Sequence, residues 1–169
     1  FPRSRLVNRD WLALGGGIRP LPVDIVGGCF ALIRREDWQA VSGFDPAFFM
    51  YGEDDDLSLR LSNRGLPAIL VPRAGVIHYG GASEPVRSEK MIRLLGAKSQ
   101  LFRSHEGRAT AWIMIELLKF TCLFRIACFS IGTGISDTYR PRLSEWLAVW
   151  RNRAAWATPP PANGIRGTS

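Results

Sequence analysis

Residues 48–56 read FFMYGEDDD, an aromatic and apolar run that passes through one glycine into four consecutive carboxylates, Glu53 to Asp56. The chain has 22 Lys and Arg against 15 Asp and Glu, a net charge of +7, so it does not need acids for solubility. Adjacent carboxylates repel one another and resist desolvation, and a cluster of them implies a use. Carboxylates gathered in this way serve proton transfer or cation binding. An EF-hand loop is excluded by the spacing, because counting from Asp54 the sixth position is Leu59 rather than Gly and the twelfth is Gly65 rather than Glu. A second candidate for chemistry is His78, in the stretch AGVIHYGG.

The elements that must position these residues follow from pattern and punctuation. EDDDLSLRLSNR, residues 53–64, carries acids in its first turn, arginines in its last and Gly65 just beyond, which predicts a helix matched to both ends of its dipole. On the helical wheel Asp54 shares the inward stripe with Leu57 and Leu61, whereas Asp55 and Ser62 point elsewhere. Glu53 lies on the side of Arg60 and Arg64. Asp56 is spaced to pair with Arg60 at the surface, an arrangement worth ~0.3 to 0.5 kcal/mol. The competing structural account is a helix N-terminus stabilised by acids, which needs fewer of them and does not explain the aromatics in front.

Upstream, VDIVGGCFALIRR over residues 23–35 reads as a β-rich run broken at Gly27-Gly28, followed by REDWQAVSG, a short helix stopped at Gly43. Downstream, PAILVP and AGVIHYGG read as two short strands. His78 stands at the exit of the second, before Tyr79-Gly80-Gly81, where missing side chains let a ligand approach the backbone. The exit of a strand in an α/β sheet is where ligands usually sit. A hydrogen-bonded structural histidine is the alternative.

At 169 residues, 46% of them hydrophobic, the chain has the length of a domain and the means to build a core. It opens at Phe1 with neither an initiator Met nor a signal pattern, and is expected to be a piece of a longer chain. Cys29, Cys122 and Cys128 form no CxxC pair, which argues against a zinc ribbon or a disulfide framework and for a reducing cytosolic setting. The positive charge points to nucleic acid, anionic lipid or a phosphorylated substrate.

Residues 86–105 are predicted to form a polar helix with Met91, Leu94, Leu95, Leu101 and Phe102 on its apolar side. AWIMIELLKFTCLFRIACFSI, residues 111–131, is apolar nearly all round, interrupted by Glu116, Lys119 and Arg125. Its longest uncharged stretch falls short of the about 20 apolar residues that a bilayer-spanning helix needs. RLSEWLAVWRNRAAW is a last helix with Trp146 and Trp150 among arginines. Surplus apolar surface beside Lys119, Arg125, Arg151 and Arg153 suits attachment to a membrane surface, packing inside the protein being the alternative.

The stretches VDIVGGCFALIRRE, GFDPAFFMYGEDDDLSLRL, GLPAILVPRAGVIHYGGAS and, more loosely, KSQLFRSHEG together resemble, in order and spacing, the family 2 inverting glycosyltransferases of the GT-A fold, in particular their rhamnosyltransferase-like members. The resemblance implies an α/β fold class. Residues 1–107 would be the acceptor-side, C-terminal half of an incomplete GT-A (Rossmann-like) domain, followed by an apolar and basic helical extension over 108–157 and a disordered tail over 158–169. It also implies transfer of a sugar, with rhamnose the leading candidate, from a nucleotide-sugar donor to a hydroxyl of a cell-envelope glycan or lipid-linked acceptor, with inversion, at the cytoplasmic face of the cell membrane.

The family's Glu-Asp pair falls on Glu53 and Asp54, which makes Asp54 the general base with Glu53 beside it. Gly27, Gly28, Phe49, Met50, Tyr51 and Gly52 become substrate-binding positions. His78 becomes a ligand of the magnesium or manganese ion that holds the donor's diphosphate. The family's Asp-X-Asp motif and its N-terminal nucleotide-binding βαβ units have no counterpart here; Asp54-Asp55-Asp56 has the spelling but lies at a helix start. The fragment alone is therefore expected to be inactive. Two other classes stay open, a non-catalytic remnant and a basic nucleic-acid-binding domain. The second is opposed by the acids in the most site-like stretch and by the lack of a nucleic-acid motif, so no nucleic-acid partner is expected.

Overall fold

Helix α1, Arg35–Ala40, and helix α2, Glu53–Ser62, both begin with acids in the first turn, where the positive end of the helix dipole favours them. They belong to a computed structural model that describes residues 19–48, 50–77 and 87–158. These residues fall into two compact units, one from 19–48 and 53–77, the other from 50–52 and 87–158.

The first unit holds a two-stranded antiparallel sheet in which β1, Leu21–Val23, pairs with β2, Ala68–Leu70, in the register Leu21 to Leu70 and Val23 to Ala68. The α/β expectation is thus met only in a small sheet on a mostly helical chain. PAILVP does form a strand, but the β-rich run from Val23 to Arg35 does not continue as one, and residues 74–77 of AGVIHYGG are irregular. A strand exists only where a neighbour takes its backbone hydrogen bonds, and among the described residues β2 has β1 alone. Phe30 and Leu32 consequently stand exposed, at 61% and 100%. The buried apolar side chains of this unit are Phe48 and Leu57.

The turn after α1 is fixed by an aromatic contact. Gly43 has φ +66°, and a Cβ there would stand 2.7 Å from the Trp38 ring, so only glycine satisfies both the conformation and the space. The next residue, Phe44, meets Trp38 edge to face with centroids 4.9 Å apart.

The second unit is built from α3 (Arg87–His105), α4 (Arg108–Thr133), a 3-10 turn (Asp137–Tyr139), α5 (Arg140–Arg151) and α6 (Arg153–Ala157). It takes in the helix before Gly107 as well as those after it. Its core is Leu95, Cys122, Val149 and Trp156, with Met91, Leu118 and Trp146 packed against them. Burial pushes the Cys122 thiol pKa up, although the charge of Arg125 pulls the other way.

The last helix, expected to be continuous, is broken at Asn152, whose side-chain amide donates to the Ala148 carbonyl at 2.9 Å and competes with the backbone ladder. The break lets Trp156 fold back, bury itself and donate its indole N–H to the Val149 carbonyl at 3.0 Å. Arg103 donates to the carbonyl of Ala157 at 2.6 Å, which supplies a cation at the end of α6. Arg125 and Arg153, which the sequence reading directs at lipid headgroups, stack over Trp146 and Trp150, each 4.9 Å from the ring centre. Among the described residues no helix is long and apolar enough to cross a membrane.

Candidate active site

The acidic run resolves into four carboxylates with different surroundings. Asp54 lies in the first turn of α2, half-buried, and its two oxygens are held separately. Oδ2 accepts the backbone N–H of Gly28 at 2.7 Å, and Oδ1 accepts that of Asp55 at 3.1 Å. A Cβ on Gly28 would stand 3.2 Å from the Asp54 Cβ and 3.4 Å from Oδ2, so the approach depends on the bare backbone. One turn along the same face, Ser58 Oγ accepts the N–H of Val26 at 3.4 Å. The loop 26–28 is therefore tied to α2 at both ends of a single helical turn. A carboxylate has about four lone-pair directions, so two accepted hydrogen bonds leave room for a hydroxyl donor.

Asp56 does something else. It is 2% exposed, and its Oδ2 accepts from the Arg60 guanidinium at 2.7 Å. Arg60 also donates to the carbonyls of Val41 and Gly43, the latter at 2.7 Å. The pair expected at the surface is thus a partly buried clamp, in which Arg60 meets the buried Asp56 and also supplies donors to two backbone carbonyls of the turn after α1. Sequence reasoning missed this part of Arg60; the only signal was its i+4 spacing from Asp56.

Glu53, assigned to the arginine side of the helix, has an enclosed Oε2 with no hydrogen-bond partner among the described residues, the kind of acceptor that structures rarely leave unused. Asp55 is half-buried and has partners of its own.

The remaining expected site residues are placed as follows. Gly27 has open space where a side chain would be. Met50, Tyr51 and Gly52 belong to the second unit. There Met50 Sδ accepts from Arg93 at 3.7 Å, and the Lys90 ammonium lies 5.9 Å from the Tyr51 ring centre. Tyr51 has φ +68°, an outlier for a bulky residue and a conformation that recurs where function holds the backbone in place. Phe49 and His78 lie outside the described residues. Among the described residues no three His, Cys, Asp or Glu side chains gather as metal donors. The geometry therefore unites Gly28 with Asp54, and the cation assigned to His78 rests on the resemblance.

Residues 19–79 match the family model described as the N-terminal domain of galactosyltransferase, a span that includes both the acidic run and His78. The chain is 49% identical over 57 residues to the rhamnosyltransferase WbbL of Escherichia coli, a match covering 34% of this chain and 22% of that protein. It is 43% identical over 58 residues to the N-acetylglucosaminyl-diphospho-decaprenol L-rhamnosyltransferase of Mycobacterium tuberculosis, covering 34% of this chain and 19% of that protein. It is also 30% identical over 76 residues to the O-antigen biosynthesis protein RfbC of Myxococcus xanthus, covering 45% of this chain and 5% of that protein. The chain thus spans about a fifth of the length of the first two relatives. No solved structure matches it. Over its N-terminal part, residues 19–79, the chain is thus similar to a glycosyltransferase domain, with rhamnosyltransferases among its relatives.

Proposed function

We propose that this segment supplies the acceptor side of an inverting glycosyltransferase site and that Asp54 is its general base. The observation that carries the reading is the Asp54 carboxylate, fixed by the Gly28 and Asp55 amides at the start of α2. In the reaction, the acceptor oxygen attacks the anomeric carbon while Asp54 takes the hydroxyl proton. The bond from that carbon to the diphosphate oxygen breaks on the opposite face, and its electron pair leaves with the nucleotide. A carboxylate held from two sides is fixed in place to take the proton of a hydroxyl brought beside it, and the displacement itself requires the attacking oxygen, the anomeric carbon and the leaving oxygen in line.

The donor is a nucleotide-sugar, and rhamnose is carried over from the names of the relatives. The acceptor is a cell-envelope glycan or lipid-linked saccharide, reached at the cytoplasmic face of the membrane. Phe49, Met50 and Tyr51, next to the acidic run in the chain, are the substrate-binding positions of this reading. A magnesium or manganese ion, with His78 among its ligands, would neutralise the leaving diphosphate.

In the full-length protein, Asp54→Asn is expected to lower kcat for transfer from a nucleotide-sugar by at least ~10²-fold, with donor affinity unchanged. Asp55→Asn should cost far less. Full activity in Asp54→Asn would remove the assignment. A donor that still binds normally to an inactive wild-type protein would favour the non-catalytic remnant.

A further inference from the structure

Helix α4 turns Ala111, Ile115 and Cys122 inward, yet its opposite side is just as apolar and lies open. Trp112 is 64% exposed, Phe120 65%, Phe124 59% and Ile131 72%. At 100° per residue, Trp112, Leu123, Phe120, Ile113, Phe124 and Leu117 fill a stripe roughly 140° wide, centred opposite the buried side. From Trp112 to Ile131 the stripe extends ~30 Å at the helical rise. The one acid of the helix, Glu116, lies within it and is neutralised by Lys119 at 2.7 Å.

Charge is distributed to match. Residues 87–158 hold twelve Lys and Arg against five Asp and Glu, an excess of seven equal to the net charge of the whole chain, so the other residues balance. An exposed apolar stripe on a unit that carries all the excess positive charge selects among occupants. A second copy would cover the stripe but bring two strongly positive units together. Nucleic acid would satisfy the charge but not the stripe, which offers it no basic side chain. An anionic bilayer surface satisfies both, since the acyl boundary takes the aromatics and the headgroups take the charge.

We infer that α4 lies along the surface of an anionic bilayer, its Trp112 to Ile131 stripe sunk to the acyl boundary. This holds whether or not the assignment of Asp54 survives, and the test needs no donor or acceptor.

The intact chain is mixed with vesicles of phosphatidylglycerol and phosphatidylcholine in equal parts, or of phosphatidylcholine alone, and co-sedimentation is measured. Binding to the mixed vesicles should exceed binding to the neutral ones by ~10-fold or more. The pair Phe120→Ser and Phe124→Ser should weaken it by a further ~10-fold, with helicity retained because both side chains are exposed. Absence of binding, or equal binding of both proteins, overturns the inference. So does a lipid-free dimer that the same pair abolishes, which would give the stripe to a second copy. If the pair loses helicity, the decision passes to a polarity-sensitive dye on Cys128, which is exposed and one turn beyond Phe124, in a Cys29→Ser background. A blue shift on the mixed vesicles alone supports the surface, and no shift overturns it.

Discussion

Asp54, Asp55 and Asp56 share one chemistry and differ in what holds them. The wheel already separated Asp54, aimed inward with Leu57, from Asp55; it could not show that the partner is the amide of Gly28, because nothing in the sequence links positions 26 residues apart. Asp56 misled for a related reason. Its spacing to Arg60 was legible, but whether an i+4 pair lies in water or in the interior depends on what covers it, here the turn through Val41 and Gly43. Gly28 offers the sharper test. A methyl there would stand 3.2 Å from the Asp54 Cβ, tight enough to displace the carboxylate by a fraction of an ångström, whereas one on Gly27 meets nothing within 4 Å. Gly28→Ala should therefore lower kcat by ~10-fold or more, since small misplacements of a reacting group are expensive. Gly27→Ala should leave kcat intact and act at most on the acceptor KM. Equal effects of the two on kcat would mean that the close approach to Asp54 has no bearing on turnover.

Among the elements, helices were more legible than strands, of which PAILVP alone was placed among the described residues. Acids at the first turn, a basic residue at the last and a following glycine are local signals that placed α2, and apolar patterning placed α3 and α4, each within a few residues. A strand needs a neighbour, and the run VDIVGGCFALIRR finds none past Val23. The connection that orders the first unit is instead Arg60, which bridges α2 to the turn after α1 through three acceptors, Asp56, Val41 and Gly43. Removing one partner of a buried ion pair leaves the other charge uncompensated. Arg60→Met should therefore destabilise the first unit by about 3 kcal/mol, read from the midpoint of urea unfolding, near the low end for such pairs because Arg60 keeps some exposure. Arg64→Ala, on an exposed side chain one turn on, should change it by no more than about 0.5 kcal/mol. Equal shifts would reduce the clamp to a surface pair.

For the molecule as a whole, apolar side chains are unevenly invested between the two units. The second gathers Leu95, Cys122, Val149 and Trp156 into one cluster from four helices. The first buries Phe48 and Leu57, leaves Ile25, Phe30, Leu32, Ile69 and Ile77 exposed, and relies on a two-stranded sheet, a structure only marginally stable by itself in water. Composition could not reveal this, since 46% hydrophobic residues describe the sum and not its division. Local stability follows buried apolar contacts, so the two units should open at different free energies. Native-state hydrogen exchange is expected to show the amides of α3, α4 and α5 protected at least ~10²-fold more than those of β1, β2 and α1, a gap of ~2.7 kcal/mol in opening free energy. The Gly28 amide, although donated to Asp54, should exchange with the weaker set. An acceptor saccharide added to the full-length protein should raise protection in that set more than in α3, α4 and α5, because a ligand stabilises what it binds. Uniform protection across both units would mean that the exposed apolar residues of the first are covered in solution, and the site would then rest on a rigid element rather than on one that binding has to order.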